Sequence, residues 1–152
     1  MHSQGFERLI KKMDEIAGRT DEKIIMQIGS TKYKPKNAEY FDYVENHEKI
    51  QELNRKARVV VCHGGAGVII TASTQKTSVI AVPRLKKYNE HINDHQLELV
   101  DALEKNGKIS VVYNIDKLES TLKNSILKTN KRANGKKTLV RELREYLKKI
   151  EN

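Results

Sequence analysis

Cysteine is almost absent from this chain: Cys62 is the only one in 152 residues. That excludes an intramolecular disulfide and points to a reducing, cytoplasmic setting. Long apolar runs are missing as well, and nothing approaches the roughly 20 residues that span a bilayer. The opening residues Met1-His2-Ser3-Gln4-Gly5 lack the apolar centre of a signal peptide. Acidic residues are scarce beside basic ones, 20 against 29, for a net charge of +9. No internal repeat, linker or low-complexity tract interrupts the chain. Basic residues are not interleaved with aromatics and no recognition helix stands out, which argues against nucleic acid as a partner. What remains, with 38% hydrophobic and 32% charged residues, is a polar globular chain large enough for one core.

The positive charge is concentrated. Lys123, Lys128, Lys131, Arg132, Lys136, Lys137, Arg141, Arg144, Lys148 and Lys149 crowd the end of the chain, opposed by Glu142, Glu145 and Glu151. Such a surface attracts polyanions, among them phosphorylated substrates and anionic lipid headgroups, although a solvated helix face has the same composition. Leu139, Val140, Leu143, Tyr146, Leu147 and Ile150 form one apolar stripe in the same segment. Residues 131–152 therefore read as a basic amphipathic helix packed on the preceding domain, residues 1–130, or on a partner.

Periodicity organises the remainder. Phe6, Leu9, Ile10, Met13 and Ile16 fall at helical spacing over residues 5–17. A strand over 23–28 stops at Gly29, a loop containing Pro35 follows, and 38–44 is a short aromatic strand. Asn46 is placed to cap a helix carrying Ile50, Leu53 and Ala57. The β-branched run over 58–62 has the composition of a strand buried on both faces, and Cys62 within it reads as packing rather than as a nucleophile. A turn and a helix to about residue 75 come next, then a buried strand over 78–82 ended by Pro83 and a charged loop over 84–92. Asn93 or Asp94 caps a helix with Leu97, Leu99, Val100 and Leu103, closed by Gly107. A strand over 109–113, a helix over 115–128 and the C-terminal helix complete the chain. Strands alternating with helices predict an α/β fold with a Rossmann-like parallel sheet flanked by helices.

In such sheets ligands bind beyond the carboxyl ends of the strands. The turn Cys62-His63-Gly64-Gly65-Ala66-Gly67 lies at such an end. Its glycines permit close backbone approach, the following helix presents free N–H groups and a positive dipole end, and His63 adds a donor. Phosphate is the ligand this chemistry favours, although a tight strand-to-helix turn needs glycine for packing alone. One strand–helix unit further on, Asn93-Asp94-His95-Gln96 opens another helix whose polar side chains would project from the same rim. A phosphate cradle beside amide, carboxylate and imidazole groups suits a sugar nucleotide, while Asp94 as a plain helix cap and His91 and His95 as ordinary exposed histidines account for the same residues. Zinc at His91 and His95 fails for want of a third ligand at metal-site spacing.

The ordered trio His63-Gly64-Gly65-Ala66-Gly67, Val79-Ile80-Ala81-Val82-Pro83-Arg84 and Glu90-His91-Ile92-Asn93-Asp94-His95-Gln96 resembles the C-terminal, donor-binding domain of glycosyltransferase family twenty-eight, of MurG-like type. It is most similar to the stand-alone PssE-like and EpsF-like subunits and to the catalytic subunit of dolichyl-diphosphate N-acetylglucosamine transferase. The resemblance spans about residues 4–118. It implies the C-terminal half of the GT-B fold and inverting transfer of a sugar, N-acetylglucosamine among the candidates, from a UDP-sugar to a polyprenyl-diphosphate-linked acceptor. It places the diphosphate against His63, Gly64, Gly65, Ala66 and Gly67, and the sugar hydroxyls near Gln96 with Asp94 or His95. The uracil falls to backbone groups near Phe41, Asp42 and Tyr43. It also implies a membrane-anchored, acceptor-binding partner subunit through which the protein reaches the membrane, with no cofactor or metal required.

Two departures from the resemblance matter. Thr71 stands where many relatives carry an acidic residue on the ribose, and a hydroxyl holds ribose more weakly than a carboxylate. Relatives also open with a buried strand and a Gly-Thr turn just before the segment matching residues 2–9. This sequence starts at Met1, so the expectation is a sheet lacking its first strand through truncation, a displaced start or degeneration. The general base is unassigned, with His2 a candidate by position only. A non-catalytic or degenerate nucleotide-sugar-binding module is the alternative expectation.

Overall fold

The computed structural model describes residues 5–65, 67, 69–70, 77–88, 95–107 and 109–128; the helix expected over 131–152 lies outside them. In chain order the elements are α1 (Glu7–Ala17), β1 (Ile25–Gln27), β2 (Glu39–Phe41), α2 (His47–Lys56), β3 (Val59–Cys62), β4 (Ser78–Ala81), α3 (His95–Lys105), β5 (Ser110–Val111) and α4 (Leu118–Lys128). Single 3-10 turns occupy Lys86–Tyr88 and Ile115–Lys117, so the helix expected from residue 115 is divided.

Local chemistry explains most boundaries. Leu9, Ile10, Met13 and Ile16 bury one stripe of α1. The Asn46 side chain accepts a hydrogen bond from the Glu48 N–H at 2.9 Å and so caps α2. Gly29 and Gly107 take φ of +56° and +70°, the left-handed conformation that ends β1 and α3 cheaply only for glycine.

Every strand pair is parallel: β1 with β2, and β3 with β4 with β5. The strands form two sheets, one of two strands and one of three, and no pairing joins β1 to β3 among the described residues. One helix covers both. Leu9, Ile10, Met13 and Ile16 of α1 share an apolar cluster with Met26 and Ile28 from the first sheet and Ile80, Val82 and Val112 from the second. The opposite face of the second sheet packs Val79, Ala81 and Ile109 against Ile69, Leu99, Val100 and Leu103. With helices on both faces, this is an α/β, Rossmann-like arrangement.

The two sheets run in the same sense. At the carboxyl ends, Phe6 N–H donates to Thr31 Oγ1 just after β1, and Arg8 Nη2 donates to the Pro83 carbonyl just after β4. At the other ends, Arg58 before β3 forms an ion pair with Glu22 before β1. The start of α1 is thus pinned over one rim made from both sheets.

Two expectations need correction. The β3 strand packs on both faces but is not fully buried on either: Val59, Val60 and Val61 are half-buried and only Cys62 is fully enclosed, with β3 paired on one edge among the described residues. Helix α2 has no fully buried residue; Ile50 and Leu53 are half-covered, and Ala57 lies beyond its end.

A polar clasp secures the loop between β1 and β2. Asp14 of α1 is 2% exposed. Its carboxylate accepts from Tyr33 Oη at 2.6 Å and from the backbone N–H groups of Lys36 at 3.0 Å and Asn37 at 2.8 Å. Burial pushes this carboxyl up, but the hydrogen bonds outweigh it and hold Asp14 below the usual carboxylate range.

Candidate functional site

The rim at the strands' carboxyl ends carries the expected turn. Strand β3 ends at Cys62, whose buried thiol is pushed up to about 11 by desolvation, so it packs and does not react. Gly64 follows with φ +91°, and a Cβ there would lie 2.8 Å from Val100 Cγ1 on α3. Glycine at this position therefore answers both backbone conformation and the close approach of α3. At Gly65 a Cβ would meet the His63 ring at 2.6 Å, which places the imidazole directly beside the turn. Gly67 differs: nothing lies within 4 Å of its would-be Cβ, and the residue is exposed. The Gly65 carbonyl accepts from Ile69 N–H at 3.1 Å, opening the next helix, and Ile69, with no exposed surface, anchors that helix in the core. The turn thus sets the N-terminal end of a helix on the rim, where amides and dipole favour an anion.

Helix α3 connects β4 to the parallel strand β5, so it runs back against the strands and begins on this same rim. Val100, which touches Gly64, is about 7.5 Å along the helix from its start. His95 and Gln96 form the first residues of α3, and their side chains lie outside the described set. His2, Ala66, Thr71 and Asp94 lie outside it altogether.

Phe41, Asp42 and Tyr43 also reach the rim, where the Phe41 and Asp42 carbonyls are already engaged. Ile28 N–H donates to the Phe41 carbonyl at 3.0 Å and Gly29 N–H to the Asp42 carbonyl at 2.8 Å. Tyr43 contributes its side chain instead, with its hydroxyl 3.0 Å from a Cβ built at Gly29 and the residue 59% exposed. Here an open cavity of about 460 Å³ is lined by Gly29, Ser30, Thr31, Lys32, Lys34, Asp42 and Tyr43. Lys34 and Asp42 pair across it at 3.6 Å.

Sequence reasoning missed two parts of this rim. Arg8 reaches from α1 to the end of β4 and lies among Phe6, Tyr88 and Arg84; helical periodicity had assigned Phe6 to the core and left Arg8 unremarked. A second hollow, about 640 Å³, lies between α3 and the end of β5 and includes Lys87, Glu98, Asp101 and Tyr113. Burial first, and then the Glu104 and Asp101 carboxylates, push the Tyr113 hydroxyl up to about 12, so it is a donor at any ordinary pH. No cluster of three or more metal-binding side chains occurs among the described residues, and none of their helices is long and apolar enough to cross a membrane.

Comparison with known proteins agrees with this fold. The model of the glycosyltransferase family 28 C-terminal domain matches residues 3–150. Among solved structures, the crystal structure of the glycotransferase of kitacinnamycin is similar, with a TM-score of 0.66 at 19% identity over 95% of this chain. At that identity the likeness establishes the fold, and the chain spans 37% of that larger protein. No curated protein matches the chain.

Proposed function

The chain belongs to the glycosyltransferase family 28 C-terminal domain family, and from that premise we propose that it is the donor-binding part of an inverting glycosyltransferase that uses a UDP-sugar. The observation that carries this reading is the turn after β3: a helix N-terminus set on the rim, buttressed by Val100, with nothing within 4 Å of a would-be Cβ at Gly67. A diphosphate there would be met by backbone N–H groups and by His63. In the reaction an acceptor hydroxyl attacks the anomeric carbon, the bond to the UDP oxygen breaks, and the hydroxyl proton passes to a base. The turn stabilises charge developing on the departing diphosphate. The base is assigned to no residue here and is open to supply by a partner.

The Tyr43 side of the rim supports a place for the nucleoside, through the aromatic ring and the cavity beside it rather than through the Phe41 and Asp42 carbonyls. In this reading Gln96, with Asp94 or His95, addresses the sugar, and Thr71 the ribose. The acceptor is a polyprenyl-diphosphate-linked sugar held by a membrane-anchored subunit, which brings this protein to the membrane.

Titration calorimetry with UDP and with UDP-N-acetylglucosamine tests the donor site directly, and transfer assays with the partner subunit test catalysis. UDP binding that His63→Ala weakens about tenfold is the expected result; absence of any UDP binding by the folded protein sinks the reading. One observation favours a second reading. Gly64 is required by its own φ and by Val100, so the turn's glycines are partly explained without a ligand. A nucleotide-sugar-binding module without activity would bind UDP yet transfer nothing in the reconstituted pair.

A further inference from the structure

We propose that the space between β1 and β3 is a slot for one further parallel strand, supplied by a second polypeptide. Backbone register defines its two sides. Toward β2, the Ile24 carbonyl accepts from Glu39 N–H at 3.2 Å, and Ile28 N–H donates to the Phe41 carbonyl at 3.0 Å. Ile25 and Gln27, one residue out of step, turn their donors and acceptors away from β2. Toward β4, the Cys62 carbonyl accepts from Val82 N–H at 2.7 Å, so Val59 and Val61 turn theirs away from β4. Both sheets are parallel, and no described strand meets either edge. A parallel strand between them would find a donor and an acceptor at each of these residues.

Helices wall the slot on both faces. On one, α1 is about 10 Å across with its side chains and shares a cluster with Met26 and Ile28 of the first sheet and Val59, Val61 and Ile80 of the second. On the other, α2 links β2 to β3 and so passes over β1 and the slot. That step runs in the same direction as β4 to β5, and right-handed connections therefore put α2 on the face that α3 covers. Its apolar residues Ile50 and Leu53 are half-covered and belong to neither apolar cluster. A strand in the slot would complete the layer beneath them. The ends are fixed as well. Arg58 pairs with Glu22 at one, and at the other Phe6 N–H bonds to Thr31 and Arg8 to the Pro83 carbonyl. An extended arginine–glutamate pair reaches across two strand spacings of about 4.8 Å each, the room that one strand occupies.

The walls specify the occupant. Its side chains alternate between α1 and α2, so it is apolar and β-branched on both faces. Its length is set by β1 and β3, which are 3 and 4 residues long. It carries no proline, because both of its edges must bond. A second copy of this chain cannot supply it, since every described strand already has at least one edge occupied. Nor does the sequence hold a spare one: the apolar runs over 24–28, 58–62, 78–82 and 109–113 already supply β1, β3, β4 and β5. The occupant is therefore an extended apolar segment of another polypeptide, paired with nothing else. Its carboxyl end would lie on the rim, between Gly29 and the glycine turn. None of this rests on the donor reading.

Amide exchange with a synthetic peptide of alternating valine and isoleucine, about five residues long with a glutamate at each end for solubility, tests the slot. The free peptide should slow exchange at Ile25, Gln27, Val59 and Val61 about tenfold or more. The same peptide with proline at its centre should change those rates less than about twofold. Tyr40 and Val111 face outward from β2 and β5 by the same register and report ordinary edge addition. Protection there, with none at the slot residues, overturns the proposal. So does a segment that protects the slot only when fused ahead of Met1 and never as a free peptide, because the strand then comes from the same chain. Leu53→Asp, on the lightly buried α2, should fold and weaken the peptide about tenfold. An affinity within about twofold of the parent in that folded variant also overturns the proposal. Should the variant fail to fold, the proline comparison carries the decision.

Discussion

The two sheets of this molecule share a topology and a covering helix but are held by different forces. In the three-stranded sheet, Ile80, Ala81 and Val82 have no exposed surface and pack between apolar layers on both faces. In the two-stranded sheet, Ile25 is 39% and Tyr40 42% exposed, and the connecting loop is secured by the buried Asp14 carboxylate. One half is held by burial of apolar surface, which is indifferent to pH. The other adds to the buried Met26 and Ile28 a titratable group and its donors. The lesson is that a short parallel pair with little apolar burial of its own can be secured further by one charged side chain on a helix shared with its neighbour.

The comparison breaks most forcefully at its apolar side. Ile80→Ala should cost about 4 kcal/mol, since it leaves a cavity in a site closed on every side, and denaturant unfolding should register the loss across the whole chain. Asp14→Ala should cost about 3 kcal/mol by stranding the Tyr33 hydroxyl and the Lys36 and Asn37 amides. Its signature is local: hydrogen exchange should quicken over residues 33–41 before β3–β5 respond. Acid sharpens the same contrast. Because Asp14 is depressed in the folded state, its contribution is complete above the ordinary carboxylate value and disappears as pH falls through the lower, folded value. Protection factors in the two-stranded region, with the intrinsic pH dependence of amide exchange divided out, should therefore fall below about pH 4 and stay level from pH 6 to 8; a loss of protection already at pH 6 would contradict the clasp. Smaller still is Asn46→Ala, which removes the cap of the lightly buried α2 for about 1 kcal/mol. Loss of the exposed Lys34–Asp42 pair should be lost in measurement scatter.

How much of this was readable beforehand follows the range of each interaction. Gly29, Asn46 and Gly107 act on their immediate neighbours, and their roles as terminator, cap and C-terminal stop were legible from local chemistry. So were the alternation of strands and helices and the placement of the glycine turn at a strand's carboxyl end. The half-exposure of Val59–Val61 was not, because a β-branched run looks the same whether its strand pairs on one edge or two. Asp14 reads as a polar residue on an otherwise apolar helix until the loop carrying Tyr33, Lys36 and Asn37 is folded against it. Arg8 and Arg84 are far apart in sequence, and each stands over the Phe6 ring only once α1 is folded against the end of β4. At the turn itself, the requirement at Gly64 comes from Val100 on a distant helix, a contact no motif encodes. At Gly67, by contrast, nothing lies within 4 Å of a would-be Cβ.

The break between β1 and β3 has a consequence for how the protein behaves in company. The register directs Met26 toward β2 and Cys62 toward β4, so the amides and carbonyls of Ile25, Gln27, Val59 and Val61 look the other way, where no strand meets them among the described residues. Rows of this kind are templates for a foreign strand. What opposes that encounter is mutual repulsion between copies each carrying a net charge of +9. Salt shortens the reach of that repulsion to about 8 Å at physiological strength. Raising ionic strength should therefore promote self-association of this strongly basic protein, the reverse of what a charge-driven assembly would do, and light scattering across a salt series would show which way it goes.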